Sequence, residues 1–401
     1  MPSHVVVVGA SAAGLSAAEA LRNKGYDGGL TLVGDERHLP YDRPPLTKQV
    51  LSGAWQPERV RLRDEHAIGK LSADLLLGRT AVGLDTAAHQ LLLDGGDRIR
   101  FDALVIATGV SPRRLPGDVL AGIHTVRTLD DALSLRAALL TQPRVVVVGA
   151  GFLGAEAAAV ARGMGLDVTL VDPLPVPMHR QFGDRIGELV GRLHSDHGVA
   201  LRMGVGVARF VGAAGRVIAV ELADGTVLDA DVVVVAVGST PAVGWLYDSG
   251  IPLGDGVECD ATCQAAPGIY AAGDVASWHN PHFRTRMRVE HRLNATEQGM
   301  AVAANLLGAE ETFAPVPYFW SDQYDARIQA YGIFPQGADI TVLHGDLASR
   351  KFVAAYGERG TVVGVLGWNS PRELRKLRQL VVDHAPWPVE PQQQQKERQA
   401  S

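Results

Sequence analysis

The sequence VVVVGASAAG at residues 5–14 is nearly repeated as VVVVGAGFLG at residues 145–154. In each copy a β-branched run stops at a glycine and small residues follow, which predicts a buried strand, a tight turn and a helix. A second strand-like segment follows each copy, at residues 29–36 and 168–171, so each copy predicts a βαβ unit. Because the repeat distance is the length of a domain, the sequence predicts two nucleotide-binding domains rather than a solenoid.

The spacing of the small residues matches the fingerprint of dinucleotide-binding loops. In this motif the first glycine allows the turn, the second lets the backbone approach the pyrophosphate, and the third lets helix and strand pack closely. The second copy has Gly149, Gly151 and Gly154, and the first has Gly9, Ser11 and Gly14. Serine is small enough to hinder the approach only slightly, so both loops are predicted to bind phosphates at a helix N-terminus.

Acidic residues stand where the motif needs a partner for the ribose hydroxyls. The first loop is followed by Asp35 and Glu36, and the second by Asp172, which lies 18 positions after Gly154. A carboxylate at residue 172 repels a 2′-phosphate and therefore predicts a preference for NADH over NADPH. Arg180 argues in the other direction, since a nearby arginine accepts such a phosphate.

The composition is that of a globular protein with two or three domains, at 401 residues, 46% hydrophobic and 20% charged. A formal net charge of -6 argues against nucleic-acid binding. The first residues do not have the pattern of a signal peptide, and no apolar stretch reaches about 18 residues. We therefore expect a cytoplasmic protein that does not enter a membrane.

The two cysteines, Cys259 and Cys263, cannot form a disulfide framework or a four-thiolate metal site. Residues 15–48, where a disulfide reductase would carry its redox pair, contain no cysteine, which excludes dithiol and single-cysteine peroxidase chemistry. The histidine pairs at 194 and 197 and at 279 and 282 lack supporting carboxylates or thiolates, so we expect no metal site.

Further motifs occur in a fixed order along nearly the whole chain. They are VGDERHLPYDRPPLTK at residues 33–48, LVIATG at 104–109, VRTLDDA at 126–132, GAGFLGAE at 149–156, GIYAAGDVA at 268–276, VEHRLNATEQG at 289–299 and FWSDQYD at 319–325. With these motifs the chain resembles the FAD-dependent, NAD(P)H-linked ferredoxin reductases that serve cytochrome P450 and Rieske dioxygenase systems. The resemblance implies an α/β fold of the glutathione reductase type.

That fold has two Rossmann-like dinucleotide-binding domains and a C-terminal α+β domain. The implied plan is a discontinuous FAD-binding domain at residues 1–112 and 240–312, an NADH-binding domain at 113–239 and the C-terminal domain at 313–385. The stretch 386–401, which includes a glutamine run, has little to bury and is predicted to be a disordered tail.

The resemblance also assigns site residues. It implies that FAD is bound by Gly9, Ser11, Ala13, Gly14, Asp35, Glu36, Arg43, Lys48, Val82, Ala107, Thr108, Gly109, Arg127, Gly273, Asp274, His291, Arg292 and Trp320. It implies that NADH is bound by Gly149, Gly151, Phe152, Leu153, Gly154, Glu156, Asp172, Arg180, Gly238 and Glu290. Lys48, Glu156 and Trp320 resemble the family's residues beside the flavin, where the lysine and glutamate bias the flavin charge and hold the nicotinamide.

One local departure from the family lies within VEHRLN. Many relatives carry a tryptophan there, whereas this chain has His291, Arg292 and Leu293. The details of the flavin surroundings at this stretch therefore differ from those of such relatives.

The implied activity is transfer of a hydride from NADH to FAD, followed by single electrons to an iron–sulfur ferredoxin that feeds a P450 or a Rieske oxygenase. Two alternatives share these motifs: a related reductase with rubredoxin, a quinone or an organic radical as the acceptor, and a non-turnover flavoprotein of the apoptosis-inducing-factor type. Two sets of basic residues are candidate docking points for an acidic ferredoxin. They are Arg284, Arg286, Arg288 and Arg292, and Arg372, Arg375, Lys376 and Arg378.

Overall fold

A computed structural model describes residues 1–389 of the chain. The chain divides into two compact units. The first unit contains Met1–Arg43, Pro57–Ser111 and Ser239–Pro317; the second contains Pro44–Gln56, Pro112–Gly238 and the chain from Tyr318 onward. None of the helices in residues 1–389 is long and apolar enough to cross a membrane.

The first unit is built on a six-stranded sheet whose strands are mostly parallel. Its strands are β1 (His4–Val8), β2 (Gly29–Gly34), β3 (Asp74–Leu77), β7 (Ala103–Ile106), β20 (Gln264–Ala266) and β21 (Ile269–Ala271), in the order β20-β21-β7-β1-β2-β3. The valines of β1 are completely or almost completely buried, because strands on both sides and helices α1 (Ala12–Asn23) and α6 (Arg292–Leu306) cover this sheet. Gly299 of α6 lets that helix approach α1, since a Cβ at residue 299 would lie 2.3 Å from the Ala13 carbonyl oxygen.

The other elements of the first unit are short. They are α2 (Glu65–Gly69), the antiparallel strands β4 (Ala81–Asp85), β5 (Gln90–Leu93) and β6 (Arg98–Arg100), and the four-stranded sheet of β18 (Leu253–Gly254), β19 (Gly256–Cys259), β22 (Ala276–Asn280) and β23 (Thr285–Arg288). Two further short strands are β8 (Val110–Pro112) and β17 (Ser239–Pro241).

The second unit repeats the same βαβ plan with a parallel five-stranded sheet. Its strands are β9 (Ile123–His124), β10 (Val145–Val148), β11 (Val168–Asp172), β12 (Ala200–Met203) and β16 (Val232–Val235), in the order β12-β11-β10-β16-β9. Its helices are α3 (Leu129–Leu139), α4 (Phe152–Gly163) and α5 (His179–Asp196). An antiparallel sheet of β13 (Val207–Ala213), β14 (Arg216–Leu222) and β15 (Val227–Asp229) completes this part.

A second sheet of this unit is antiparallel and has five strands. They are β24 (Tyr318–Gln323), β25 (Ala326–Gly332), β26 (Asp339–Asp346), β27 (Lys351–Glu358) and β28 (Thr361–Trp368), in the order β24-β25-β28-β27-β26. Apolar residues of α5 share a core with the inner faces of β25 and β28. Helix α7 (Pro371–Val382) follows, and its buried Leu374 lies against Gly367 of β28.

The predicted fold class is confirmed, since two parallel nucleotide-binding sheets and a C-terminal α+β part are all present. The compact units place residues 44–56 with the second unit, whereas the sequence plan placed them in the FAD-binding domain; the three-domain plan itself stays a prediction.

The first residues of the predicted tail belong to the C-terminal part. Pro386 pairs with Thr361, and the Trp387 amide donates to the Gly360 carbonyl oxygen over 2.9 Å. The indole of Trp387 also covers Gly357, at which a Cβ would lie 2.0 Å from the ring. Residues 390–401 of the predicted tail lie outside the described residues.

Candidate functional site

The first glycine loop joins β1 to α1 and leaves no room for side chains at its two outer glycines. Gly9 has φ +116°, and a Cβ there would lie 2.1 Å from the Ala107 carbonyl oxygen. A Cβ at Gly14 would lie 1.9 Å from the carbonyl oxygen of Gly9. Only glycine fits either position, because both contacts are with backbone atoms that cannot move aside and because an L-residue at position 9 would also strain this φ. The start of α1 is therefore held directly at the end of β1.

The second loop, between β10 and α4, has the same geometry. Gly149 has φ +101°, and a Cβ there would lie 2.3 Å from the Ala236 carbonyl oxygen; a Cβ at Gly154 would lie 1.8 Å from the Gly149 carbonyl oxygen. Neither Ser11 nor Gly151, the N-cap residues of α1 and α4, caps its helix with a side chain. Uncapped first-turn amides beside a close glycine turn fit the pyrophosphate of a dinucleotide.

In the first loop the acidic partner is linked to the loop itself. Arg43 donates to the Glu36 carboxylate over 2.7 Å and also to the Ser11 hydroxyl. Tyr41 donates to the other oxygen of Glu36. Asp35, the alternative acid, is exposed. Of the two predicted acids, Glu36 is the one held in a fixed position next to the phosphate loop.

In the second loop the acid is fixed by backbone amides. The Asp172 carboxylate accepts from the amide of Ala150 over 2.6 Å and from that of Leu174 over 2.8 Å. The charge is thus placed at the carboxyl end of β11, beside the glycine loop. Arg180 is exposed at the start of α5.

Lys48 and Glu156 form a buried ion pair within the second unit. Lys48 lies in a single π-helical turn, Leu46–Val50, and its Nζ is 2.7 Å from the Glu156 Oε2. Their side chains are only 11% and 3% exposed. Thr47 donates to the same oxygen over 2.7 Å, and Ser321 donates to the Glu156 Oε1 over 2.7 Å. Removing one partner of such a pair costs about 3–5 kcal/mol, because the other charge stays buried.

Trp320 lies on β24, in the strand that also supplies Ser321. Successive strand residues face opposite sides, so Trp320 faces away from Ser321 and Gln323. Its ring stacks with Tyr318 at 5.9 Å between centroids. Sequence reasoning selected Trp320 and missed Ser321 and Gln323. The available signal was two polar residues, Ser321 and Gln323, at alternate positions of a strand that also contains aromatic residues.

The ring of Phe152, another predicted nucleotide contact, belongs to an aromatic cluster with Phe182 and Phe319. Its backbone amide, at the first turn of α4, is the group that remains for a ligand. Glu290 accepts from Arg288 and from Ser239 over 2.6 Å each.

The structure distributes the predicted site residues over both units. In the first are Gly9, Ser11, Ala13, Gly14, Asp35, Glu36, Arg43, Val82, Ala107, Thr108, Gly109, Gly273, Asp274, Glu290, His291 and Arg292. In the second are Lys48, Arg127, Gly149, Gly151, Phe152, Leu153, Gly154, Glu156, Asp172, Arg180, Gly238 and Trp320. Each unit thus gathers one complete glycine loop with its acid.

Part of the first set of basic residues is engaged within its own unit, whereas Arg284 and Arg286 remain exposed, so docking at this set stays a prediction. Arg286 donates to the Cys259 carbonyl oxygen over 3.0 Å. Arg288 is largely buried and pairs with Asp255 and Glu290, and Arg292 pairs with Asp42. These guanidinium groups hold the first unit together. On α7 all four basic side chains are exposed, opposite the buried Leu374 and Leu377.

Both cysteines are buried free thiols. Burial raises the pKa of each thiol, that of Cys263 to about 12, so neither forms a thiolate at neutral pH. This environment suits a structural role for both thiols.

Comparison with known proteins identifies the family. The sequence profile of the pyridine nucleotide-disulphide oxidoreductases matches residues 3–299. The chain belongs to this family. A second profile, described as reductase C-terminal, matches residues 318–396.

Among the relatives of this family member are reductases of oxygenase systems. It is 38% identical over 380 residues to the ferredoxin–NAD(+) reductase component of the anthranilate 1,2-dioxygenase system of Burkholderia cepacia, covering 94% of this chain and 93% of the relative. It is 35% identical to rhodocoxin reductase of Rhodococcus erythropolis, covering 95% and 90%. The reductase in the covalent putidaredoxin reductase–putidaredoxin complex superposes with a TM-score of 0.91 at 32% identity, covering 96% and 94%.

Proposed function

We propose that this protein is an NADH-dependent ferredoxin reductase that contains FAD and supplies electrons to a P450 or Rieske oxygenase through an iron–sulfur ferredoxin. The observation that carries the proposal is the presence of two glycine loops of the same geometry in one chain, each with an acid fixed beside it. One loop serves a resident dinucleotide and the other a dinucleotide that exchanges. The relatives named above are reductases of this kind.

The first loop fits FAD. Gly9 and Gly14 leave the backbone open to the pyrophosphate, and Glu36 would bind the ribose of the adenosine half. The fixed Arg43 adds a positive charge beside this loop. The remaining residues that would hold FAD are Ser11, Ala13, Asp35, Lys48, Val82, Ala107, Thr108, Gly109, Arg127, Gly273, Asp274, His291, Arg292 and Trp320. Bound FAD would take two electrons from NADH and release them one at a time.

The second loop fits NADH. Gly149 and Gly154 again expose the helix start, and Asp172 is placed to bind the ribose hydroxyls and to repel a 2′-phosphate. The remaining residues that would hold NADH are Gly151, Phe152, Leu153, Glu156, Arg180, Gly238 and Glu290. The Asp172 carboxylate is fixed by hydrogen bonds from the Ala150 and Leu174 amides, and this fixed negative charge supports NADH as the physiological donor.

The Lys48–Glu156 pair would orient the nicotinamide and bias the charge near the flavin. The ammonium is held by the Glu156 carboxylate and by the Pro44 carbonyl oxygen at 3.1 Å, so its position is set by two acceptors. Such a fixed charge acts by electrostatic preorganisation, without reorganisation during the reaction. Neither residue is asked to transfer a proton.

The direct experiment is steady-state cytochrome c reduction with NADH, with and without an added [2Fe–2S] ferredoxin, and then with NADPH. A large ferredoxin-dependent rate with NADH is expected. If several ferredoxins fail to stimulate while a dye is reduced rapidly, the acceptor belongs to another class. If turnover with every acceptor is negligible despite NADH binding, the protein is not a reductase.

A cytoplasmic location is part of the proposal. Its support is the pair of free thiols, which suits a reducing compartment. Fractionation of the producing cells with an antibody against the protein tests it.

A further inference from the structure

Buried polar side chains continue from Glu156 into the interior of the second unit. The Glu156 Oε2 is taken by Lys48 and Thr47, whereas its Oε1 accepts only from the Ser321 hydroxyl among the hydrogen bonds of the described residues. The orientation of the carboxylate thus depends on Ser321, which is fully buried. A serine hydroxyl rotates freely unless its oxygen also has a partner.

Ser321 has that partner in a chain of hydrogen bonds, which we call the Glu156 chain. The amide nitrogen of Gln323 donates to the Ser321 hydroxyl oxygen over 3.1 Å. The Gln323 amide oxygen lies 2.9 Å from the Nε2 of His194, and the Tyr324 hydroxyl lies 3.3 Å from the Nδ1 of the same histidine. The chain thus runs from Tyr324 through His194, Gln323 and Ser321.

The direction of each bond in the Glu156 chain follows from the chemistry of its groups. An amide oxygen only accepts, so the His194 Nε2 carries a hydrogen. In a neutral imidazole the Nδ1 is then an acceptor, and it accepts a hydrogen bond from the Tyr324 hydroxyl. Burial lowers the pKa of His194 to about 4, which keeps the ring neutral at neutral pH. All four donors therefore point along the chain toward the Glu156 carboxylate.

Burying these polar side chains costs free energy that apolar residues at the same positions would not cost. His194 and Ser321 are completely buried and Gln323 is 1% exposed, within a core otherwise formed by aliphatic and aromatic residues. Buried polar groups in such a place are stable only when every member of the network is satisfied. One end of this network is a charged residue assigned to the nucleotide site, so the network fixes that residue.

We propose that His194 and Gln323 are positioning residues of the NADH site, acting through Ser321 to fix the orientation of the Glu156 carboxylate. The Lys48 ammonium, which pairs with that carboxylate, is positioned with it. The inference rests on the proposed function, which assigns the Lys48–Glu156 pair to the nicotinamide.

The test is a double-mutant cycle with NAD+ binding as the readout. Gln323→Met keeps the length of the side chain without its amide, and Ser321→Ala removes the link to Glu156. NAD+ affinity of the FAD-loaded protein is measured by calorimetry. Each single variant is expected to weaken binding by about five- to tenfold, the scale of one hydrogen bond. Because both act through one link, the double variant is expected to bind no more weakly than Ser321→Ala.

A steady-state readout separates positioning from general damage. With ferricyanide as the acceptor, Gln323→Met is expected to raise the KM for NADH while kcat is unchanged. Tyr356→Phe is the matched control, because the Tyr356 hydroxyl makes a buried bond of 2.9 Å to the Phe182 carbonyl oxygen in the same unit and does not contact the Glu156 chain. This control is expected to lower thermal stability without changing NAD+ affinity.

Any other result contradicts the proposed positioning role. Wild-type affinity in Gln323→Met, additive effects in the double variant, or an equal loss in Tyr356→Phe overturns it. Should Gln323→Met not fold, His194→Phe replaces it in the same cycle. Glu156→Gln separates the two proposals: unchanged NAD+ affinity in that variant removes the assignment of the ion pair, whereas a loss there with none in Gln323→Met removes only the inference.

Discussion

Arg43 donates a hydrogen bond to the hydroxyl of Ser11, the residue at which the first glycine loop differs from the second. The same guanidinium binds Glu36. The serine is therefore more than a tolerated replacement for glycine, because its side chain ties the acid and the arginine to the phosphate loop. Gly151 has no such side chain. In the second loop the acid, Asp172, is instead held by a hydrogen bond from the Ala150 backbone amide.

The first prediction follows from this link. Glu36→Gln is expected to raise the dissociation constant of FAD by about tenfold, because it weakens the charged hydrogen bond to Arg43, and such a bond is worth about 1.5–3 kcal/mol. The measurement is fluorescence titration of the apoprotein with FAD. Asp35→Asn removes the same charge at the adjacent, exposed position and is expected to leave the dissociation constant nearly unchanged. A larger effect in Asp35→Asn would reverse the assignment of the two acids.

The second prediction concerns the choice of nucleotide. Asp172→Asn keeps the shape of the side chain and removes its charge, so the ratio of kcat/KM for NADH to that for NADPH is expected to fall by about tenfold. Asp167→Asn is the control, since Asp167 is exposed just before β11, whose last residue is Asp172. Equal ratios in wild type and Asp172→Asn would show that the carboxylate does not discriminate.

The third prediction concerns stability against acid. Since burial lowers the pKa of His194 to about 4 in the folded state, from 6.5, the unfolded chain binds more protons between these values. Stability from this residue is complete above pH 6.5 and falls as the pH drops toward 4. Between pH 7.5 and pH 5 it amounts to about 2 kcal/mol.

His194→Phe isolates that contribution. The loss of unfolding free energy between pH 7.5 and pH 5 is expected to be smaller in this variant than in wild type, in urea denaturation followed by tryptophan fluorescence. His291 has the same low pKa through burial and remains in both proteins, so its contribution cancels. Parallel pH profiles for the two proteins would contradict the assignment.

The fourth prediction concerns the acceptor. Arg372 and Arg375 are exposed on α7, and Arg378 lies over the Tyr331 ring at 5.5 Å. Arg372→Glu/Arg375→Glu is expected to raise the KM for an acidic ferredoxin by about tenfold at low ionic strength, and to flatten its dependence on salt. Direct reduction of ferricyanide is expected to stay the same.

Lys24→Glu/Arg100→Glu changes the net charge equally at exposed positions of the first unit and serves as the control. Equal losses in the two double variants would mean that total charge, rather than the face of α7, sets the association rate.

The two glycine loops could be predicted from the sequence because each is specified by residues close together in the chain. A valine run, a glycine at a fixed spacing and an acid after the next strand all lie within one βαβ unit. The choice between Asp35 and Glu36 was not readable, since it depends on where Arg43 and Tyr41 place their side chains. Local patterns specify a backbone motif, whereas the contacts of a neighbouring turn determine which acid is held in place beside it.

The hydrogen-bond partners of Glu156 could not be predicted from local sequence patterns. Ser321 is 165 residues away in the chain, and His194 meets Gln323 across 129 residues. His194 was considered only as half of a metal site, because spacing along a helix says nothing about a partner on a distant strand. The same limit applies to Arg288, whose charge suggested a surface but whose largely buried side chain pairs with Asp255 and Glu290 of its own unit.

The C-terminal sheet is complete only when the polypeptide chain extends at least to Trp387. Its indole takes the place of a side chain at Gly357, and its amide joins the turn at Gly360. A protein truncated after helix α7 would uncover Gly357 and leave the Val362 amide at the start of β28 without the Ala385 carbonyl oxygen that accepts its hydrogen bond, and unpaired strand backbone invites pairing with a second molecule. Shortened versions made for crystallisation should therefore keep Val389, and affinity tags belong beyond it.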